Sequence, residues 1–128
     1  MRPIKVGKPS VQESELAKRL ISIQDKAMSE VAPGVHSSVP DRIYREGILS
    51  TGVVKNYPNK TFYSLGFMMA PTQYEPLEAT PYSQWSFEEG MTFHTYMVVK
   101  GFCFSETIHV TKDGCERITT FPRELIVC

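Results

Sequence analysis

Two strand-forming runs, residues 91–99 and 102 onward, are separated by only Lys100-Gly101. A two-residue connection of this kind forces an antiparallel hairpin and fixes its register by counting outward from the turn. Val99 then opposes Phe102, Met97 opposes Phe104, Tyr96 opposes Ser105, Thr95 opposes Glu106 and His94 opposes Thr107. One face of this hairpin carries Met91, Phe93, Met97, Val99, Phe102, Phe104, Ile108 and Val110, interrupted by Thr95 and Glu106. The other carries Thr92, His94, Tyr96, Cys103, Ser105, Thr107 and His109, an unusually polar set. A second turn at Lys112-Asp113-Gly114 adds a third strand, and Phe121-Pro122-Arg123-Glu124-Leu125 closes the chain. Alternation of this regularity demands a core on the apolar face. Any chemistry is to be sought in this stretch of the chain.

The segments before the hairpin supply that core. Ser10 with Glu13 has the form of a capping box, and Leu16, Leu20, Ile23, Ala27 and Val31 recur at helical spacing up to Ala32-Pro33-Gly34. Glu15, Lys18, Arg19 and Asp25 read as its solvated face. A second helix is expected from an N-cap at Ser38 to about Glu46, ended by Gly47, with Val39 and Ile43 on its apolar edge. His36 reads as a solvated loop histidine, and Lys5-Val6-Gly7 as the end of a short first strand. Residues 61–67 are rich in aromatic and β-branched side chains and are expected to form a strand. Residues 68–83 carry Pro71, Pro76 and Pro81 with Tyr74 and Tyr82, which predicts an irregular loop, either part of a binding site or a plain surface crossing.

With 128 residues, 41% of them hydrophobic, the chain suits one domain with a real core. Its 14 basic and 14 acidic residues cancel, so the field needed to collect nucleic acid or an acidic membrane is missing. No apolar run reaches membrane-spanning length and the first residues lack the core of a signal peptide, so a cytoplasmic protein is expected. Cys103, Cys115 and Cys128 are at no zinc-like spacing and read as reduced structural thiols; Cys103 is the one best placed for a nucleophilic role.

The order helix, helix, strand, irregular loop, then Glu88-Glu89-Gly90-Met91-Thr92-Phe93-His94, Ser105-Glu106-Thr107-Ile108-His109-Val110 and Phe121-Pro122-Arg123-Glu124-Leu125 resembles the second half of a pita-bread domain. That is the catalytic fold of Xaa-Pro dipeptidases, methionine aminopeptidases and creatinase. The likeness implies an α+β half-domain over residues 1–128, two helices packed on a small antiparallel sheet. It further implies a cage of two aspartates, one histidine and two glutamates around two metal ions that activate water. Carried onto this sequence, both aspartates would precede Met1, Tyr63 stands at the histidine, and Tyr96 and Ser105 stand at the glutamates. Neutral hydroxyls are poor ligands, so no metal or other cofactor is expected. Tyr63-Ser64-Leu65-Gly66-Phe67, Met91-Thr92-Phe93-His94 and Phe104-Ser105-Glu106 are also similar to the ectoine-hydrolase-like and creatinase-like amidohydrolases of this fold.

The resemblance implies a degenerate metallopeptidase relative acting as a binding or assembly module, with Tyr63 and Tyr96 lining a small-molecule pocket or filling lost metal space. The alternatives are a metal-independent C–N hydrolase and the C-terminal piece of a longer peptidase-like chain. His94 and Glu106 are the candidate catalytic pair, although the counted register sends them to opposite faces. His94 also fits a structural role, and Glu106 a buried bond to Arg123 or to backbone. Arg123 is expected to anchor the C-terminal segment and Trp85 to pack in the core. A half-domain exposes the surface its partner covers, so a homodimer, or a complex with a chain supplying the first half, is expected.

Overall fold

The computed structural model describes residues 1–66 and 76–128. The element order is β1 (Ile4–Lys5), α1 (Val11–Met28), α2 (Ser38–Ser50), β2 (Phe62–Ser64), β3 (Glu78–Ala79), β4 (Thr92–Val99), β5 (Phe102–Thr111), β6 (Gly114–Arg117) and β7 (Ile126–Val127). Five strands form an antiparallel sheet in the order β3-β2-β4-β5-β6, while β1 and β7 pair in parallel as a separate two-stranded sheet. The β4–β5 register is the one counted from the Lys100-Gly101 turn, with Tyr96 opposite Ser105 and Thr95 opposite Glu106. Both turn residues adopt positive φ, 49° and 86°, as a tight connection matched to strand twist requires.

The capping box forms as the sequence predicts: Glu13 N–H donates to Ser10 Oγ at 3.1 Å and Ser10 N–H to Glu13 Oε2 at 2.7 Å. The buried side of α1 includes Leu20 and Ala27, and Val31 stays in the core although the helix ends at Met28. Helix α2 departs from expectation at both ends. Ser37 rather than Ser38 occupies the cap, without a side-chain bond, because the Ser38 hydroxyl pairs with His36 Nδ1 at 2.7 Å. His36 is thereby half-buried and bridged to Ser86, not a solvated loop residue. Gly47 does not stop the helix. A Cβ there would lie 2.7 Å from Ile23 Cγ2, so the glycine admits the close approach of α1. Helix packing, not chain termination, uses its missing side chain.

Phe93, Met97, Phe104 and Ile108 from the hairpin join Leu20, Tyr44, Ile48, Phe62 and Phe87 in one buried core. Trp85 stacks on Phe93 with centroids 5.2 Å apart and planes 3° apart, the core role expected of it. The strand expected at 61–67 is only three residues long in the described part. The stretch read as wholly irregular contains β3, which pairs with β2 through Phe62–Ala79 and Tyr63–Glu78. Phe67 and Tyr74 lie outside the described residues, and Tyr82 is exposed. Two helices on one face of a five-stranded sheet leave the second face for a site.

Candidate functional site

That second face is built by register. Tyr63 pairs with His94, and His94 with Thr107, so one row crosses β2, β4 and β5. Tyr96 and Ser105 form the next row. The rings of Tyr63 and His94 stand 5.0 Å apart, Tyr63 and Tyr96 5.9 Å, and His94 and Tyr96 5.8 Å. With Met1 and Lys60 they line an open cleft of about 450 Å³. Lys60 Nζ lies 5.1 Å from the centre of the Tyr63 ring and pairs with the Glu78 carboxylate. The Ser105 hydroxyl accepts from the Met1 ammonium, and Ser105 N–H donates to the Met1 carbonyl at 3.2 Å.

Burial shifts His94, Tyr96 and the nearby Cys103 toward their neutral forms. Burial pushes His94 below its usual range, with the N-terminal ammonium acting in the same direction and Glu106 opposing it. Burial raises the Tyr96 hydroxyl, helped by Glu78 and Cys103. The Cys103 thiol is raised by burial as well, the reverse of what a nucleophilic cysteine needs. All three cysteines are free.

Glu106 is elsewhere. Its side chain is completely buried on the core face, where Arg2 Nη2 approaches Oε1 to 2.8 Å. Arg117 and Arg123 lie farther away at 3.6 and 3.7 Å, and the Thr119 hydroxyl donates to Oε2. Arg123, one of the two partners expected for Glu106, is therefore secondary; it is drawn off to Asp25 and to Gln24 Oε1 at 3.3 Å, which anchors the C-terminal segment on α1 as expected. Arg2 Nη2 also donates to the Phe121 carbonyl at 2.7 Å, so Oε1 receives its charge without an aligned hydrogen bond. The sheet separates Glu106 from His94, as the counted register requires, and brings Tyr63, His94, Tyr96 and Ser105 together instead.

The sequence reading missed Met1, Lys60 and Glu78. Lys60 sits three residues before Tyr63, and Glu78 joins it only because β3 pairs with β2. No hydrophobic period marks a pairing that short. Among the described residues, no three His, Cys, Asp or Glu side chains are grouped to hold a metal ion. The donors present, two tyrosines, a serine already bonded to an ammonium and one neutral imidazole, do not suit a carboxylate-rich dinuclear cage.

A two-helix, five-strand α+β layer with these residues along its open sheet face is half of a pita-bread fold. The chain belongs to metallopeptidase family M24, whose profile matches residues 1–112. It is 29% identical to the Xaa-Pro dipeptidase of Pyrococcus horikoshii, covering 98% of this chain and 36% of that protein. It is 27% identical to the uncharacterized hydrolase/peptidase y4tM of Sinorhizobium fredii, covering 98% and 33%. The crystal structure of the P. horikoshii prolidase superposes with a TM-score of 0.83 at 26% identity, again over 98% of this chain and 36% of that one. The methionine aminopeptidase of Thermotoga maritima shares the fold at a TM-score of 0.65 and 20% identity, over 90% and 55%. The chain spans about a third of the length of the curated relatives it matches. Among the described residues no helix is long and apolar enough to cross a membrane.

Proposed function

We propose that this chain is a binding or assembly module built on a metallopeptidase framework, without an intact dinuclear metal site and without peptidase activity of its own. The observation that carries this reading is that Tyr63, Tyr96 and Ser105 share one sheet face in two adjacent rows, with hydroxyls at the positions that the family resemblance assigns to one histidine and two glutamates. Tyrosine and serine hydroxyls stay protonated near neutral pH, and burial raises Tyr96 further. Such a wall offers aromatic faces and hydrogen-bond donors to a small molecule, or a surface for another polypeptide. The test is elemental analysis of the purified protein together with cleavage of Xaa-Pro and N-terminal methionine peptides. Metal well below one ion per chain and no cleavage are expected. Stoichiometric Mn, Co, Zn or Fe, with cleavage that a chelator removes, overturns the reading.

A second reading, metal-independent C–N hydrolysis, is favoured by one observation. His94 lies in the cleft with its pKa lowered, so at neutral pH its imidazole can accept a proton. Glu106 takes no part in the same cleft, so the remaining groups come from a second polypeptide. Turnover of a small cyclic amide or amidine that disappears in His94→Ala supports this reading; no binding of such compounds counts against it.

A further inference from the structure

Along the middle of β5, buried residues alternate with half-buried ones, as a strand with one open face requires, except at Ser105. Ser105 belongs to the cleft face, opposite Tyr96, yet it is 3% exposed, while Cys103, Thr107, His94 and Tyr96 around it are half-buried. Met1 covers it. The Met1 nitrogen donates to the Ser105 hydroxyl, Ser105 N–H donates to the Met1 carbonyl at 3.2 Å, and the Met1 thioether accepts from the Cys103 thiol at 3.4 Å. Met1 thereby stands in the wall of the cleft where Ser105 would otherwise be reached.

Arg2 holds that cover down. Its guanidinium is almost fully enclosed and donates to four carbonyls: Nη1 to Met1 and to Ser105, each at 2.8 Å, Nη2 to Phe121 at 2.7 Å and Nε to Pro122 at 2.6 Å. One side chain with a fork of fixed geometry thus joins the first residue, β5 and the closing segment. Glu106 neutralises it at 2.8 Å from the core side of the same strand. Ser105 and Glu106 point to opposite faces of β5, so the buried carboxylate reaches the cleft only through Arg2 and Met1. Met1 itself is 56% exposed. Lifting it breaks its bonds to Ser105, Cys103 and Arg2 and leaves Arg2 seated on Glu106.

From this geometry we infer that Met1 is a strap closing the Ser105 end of the cleft, anchored by the Arg2–Glu106 pair, and that a ligand filling the cleft as far as Ser105 must displace it. This rests on the binding reading in one respect, that the cleft takes a ligand; the strap itself is tested without one.

Native-state hydrogen exchange and thiol alkylation provide the test. In the native protein Ser105 N–H, whose acceptor is the Met1 carbonyl, is expected to exchange about tenfold faster than the central amides of β4, because lifting Met1 exposes it without unfolding the sheet. Arg2→Lys keeps the positive charge beside Glu106 and loses the planar fork. In that variant Ser105 exchange and Cys103 alkylation are each expected to rise about tenfold. The β4 amides keep their native rates, and so does Cys115, which lies against the Met28 carbonyl. Native Ser105 exchange as slow as that of β4 overturns the strap, since Met1 then leaves only when the sheet unfolds, and this measurement needs no variant. A folded Arg2→Lys protein in which Ser105 and Cys103 keep their native rates overturns the anchor. So does one in which Ser105, Cys103, Cys115 and β4 all speed up together, because Arg2 then supports the whole fold and not the strap. Neither measurement involves a metal or a peptide, so failure here is distinct from failure of the proposed function.

Discussion

Protonating His94 puts a charge into a half-buried cleft beside an ammonium, and this gives the residue a measurable signature. Its folded pKa lies below the ordinary value of 6.5, so on acidification the unfolded chain takes up the proton first. Stability is therefore complete above pH 6.5 and falls as the pH drops below it. Urea midpoints at pH 7.5 and pH 5.5 are expected to show that loss, and His94→Asn is expected to reduce it. A midpoint in the native protein that is flat or rises toward pH 5.5 contradicts the assignment. Glu106 makes the opposite kind of prediction. Removing the fully buried carboxylate of this charge cluster leaves its largely buried Arg2 and Arg123 uncompensated, so Glu106→Gln is expected to cost about 3 kcal/mol in urea unfolding. A loss under about 1 kcal/mol means that Arg2 and Arg117 rehydrate on release.

Helices α1 and α2 meet at Gly47, where two terms compete. Alanine in a helix interior gains up to about 1 kcal/mol over glycine. Its Cβ, however, would stand 2.7 and 2.9 Å from two carbons of Ile23, and overpacking of this kind costs about 1–3 kcal/mol. The clash wins, so Gly47→Ala is expected to lower the thermal midpoint and Ile23→Ala to relieve the added strain in the double variant. The same residue shows why α2 was misjudged from sequence: a glycine after a helical run is chemically identical whether it ends the helix or admits a neighbour. The hairpin was legible for the reverse reason. Its two-residue turn leaves one register that keeps Phe93, Met97, Phe104 and Ile108 on a single face.

For the molecule as a whole, legibility decreased with sequence separation. Tyr96 and Ser105, nine positions apart, could be set opposite one another by counting, whereas Arg2 and Glu106 meet across 104 positions with no periodicity to announce them. The Tyr63–His94 row depends on β2 joining β4 across the prolines at 71, 76 and 81, which obscure that pairing in the sequence. A short first strand ending near Lys5 was expected, but its pairing with β7 was equally hidden, since each strand has two residues. Its geometry has a mechanical meaning. Ile126 N–H donates to Pro3, Cys128 N–H to Lys5 and Gly7 N–H back to Cys128, at 3.0, 2.9 and 2.7 Å, between strands running in the same direction. Tension applied at the outer ends of such a pair acts along the strands, so the three bonds share the load in shear instead of opening one after another. This clasp resists being drawn apart as a unit, and it holds the first segment, with Arg2 and Met1, against the sheet.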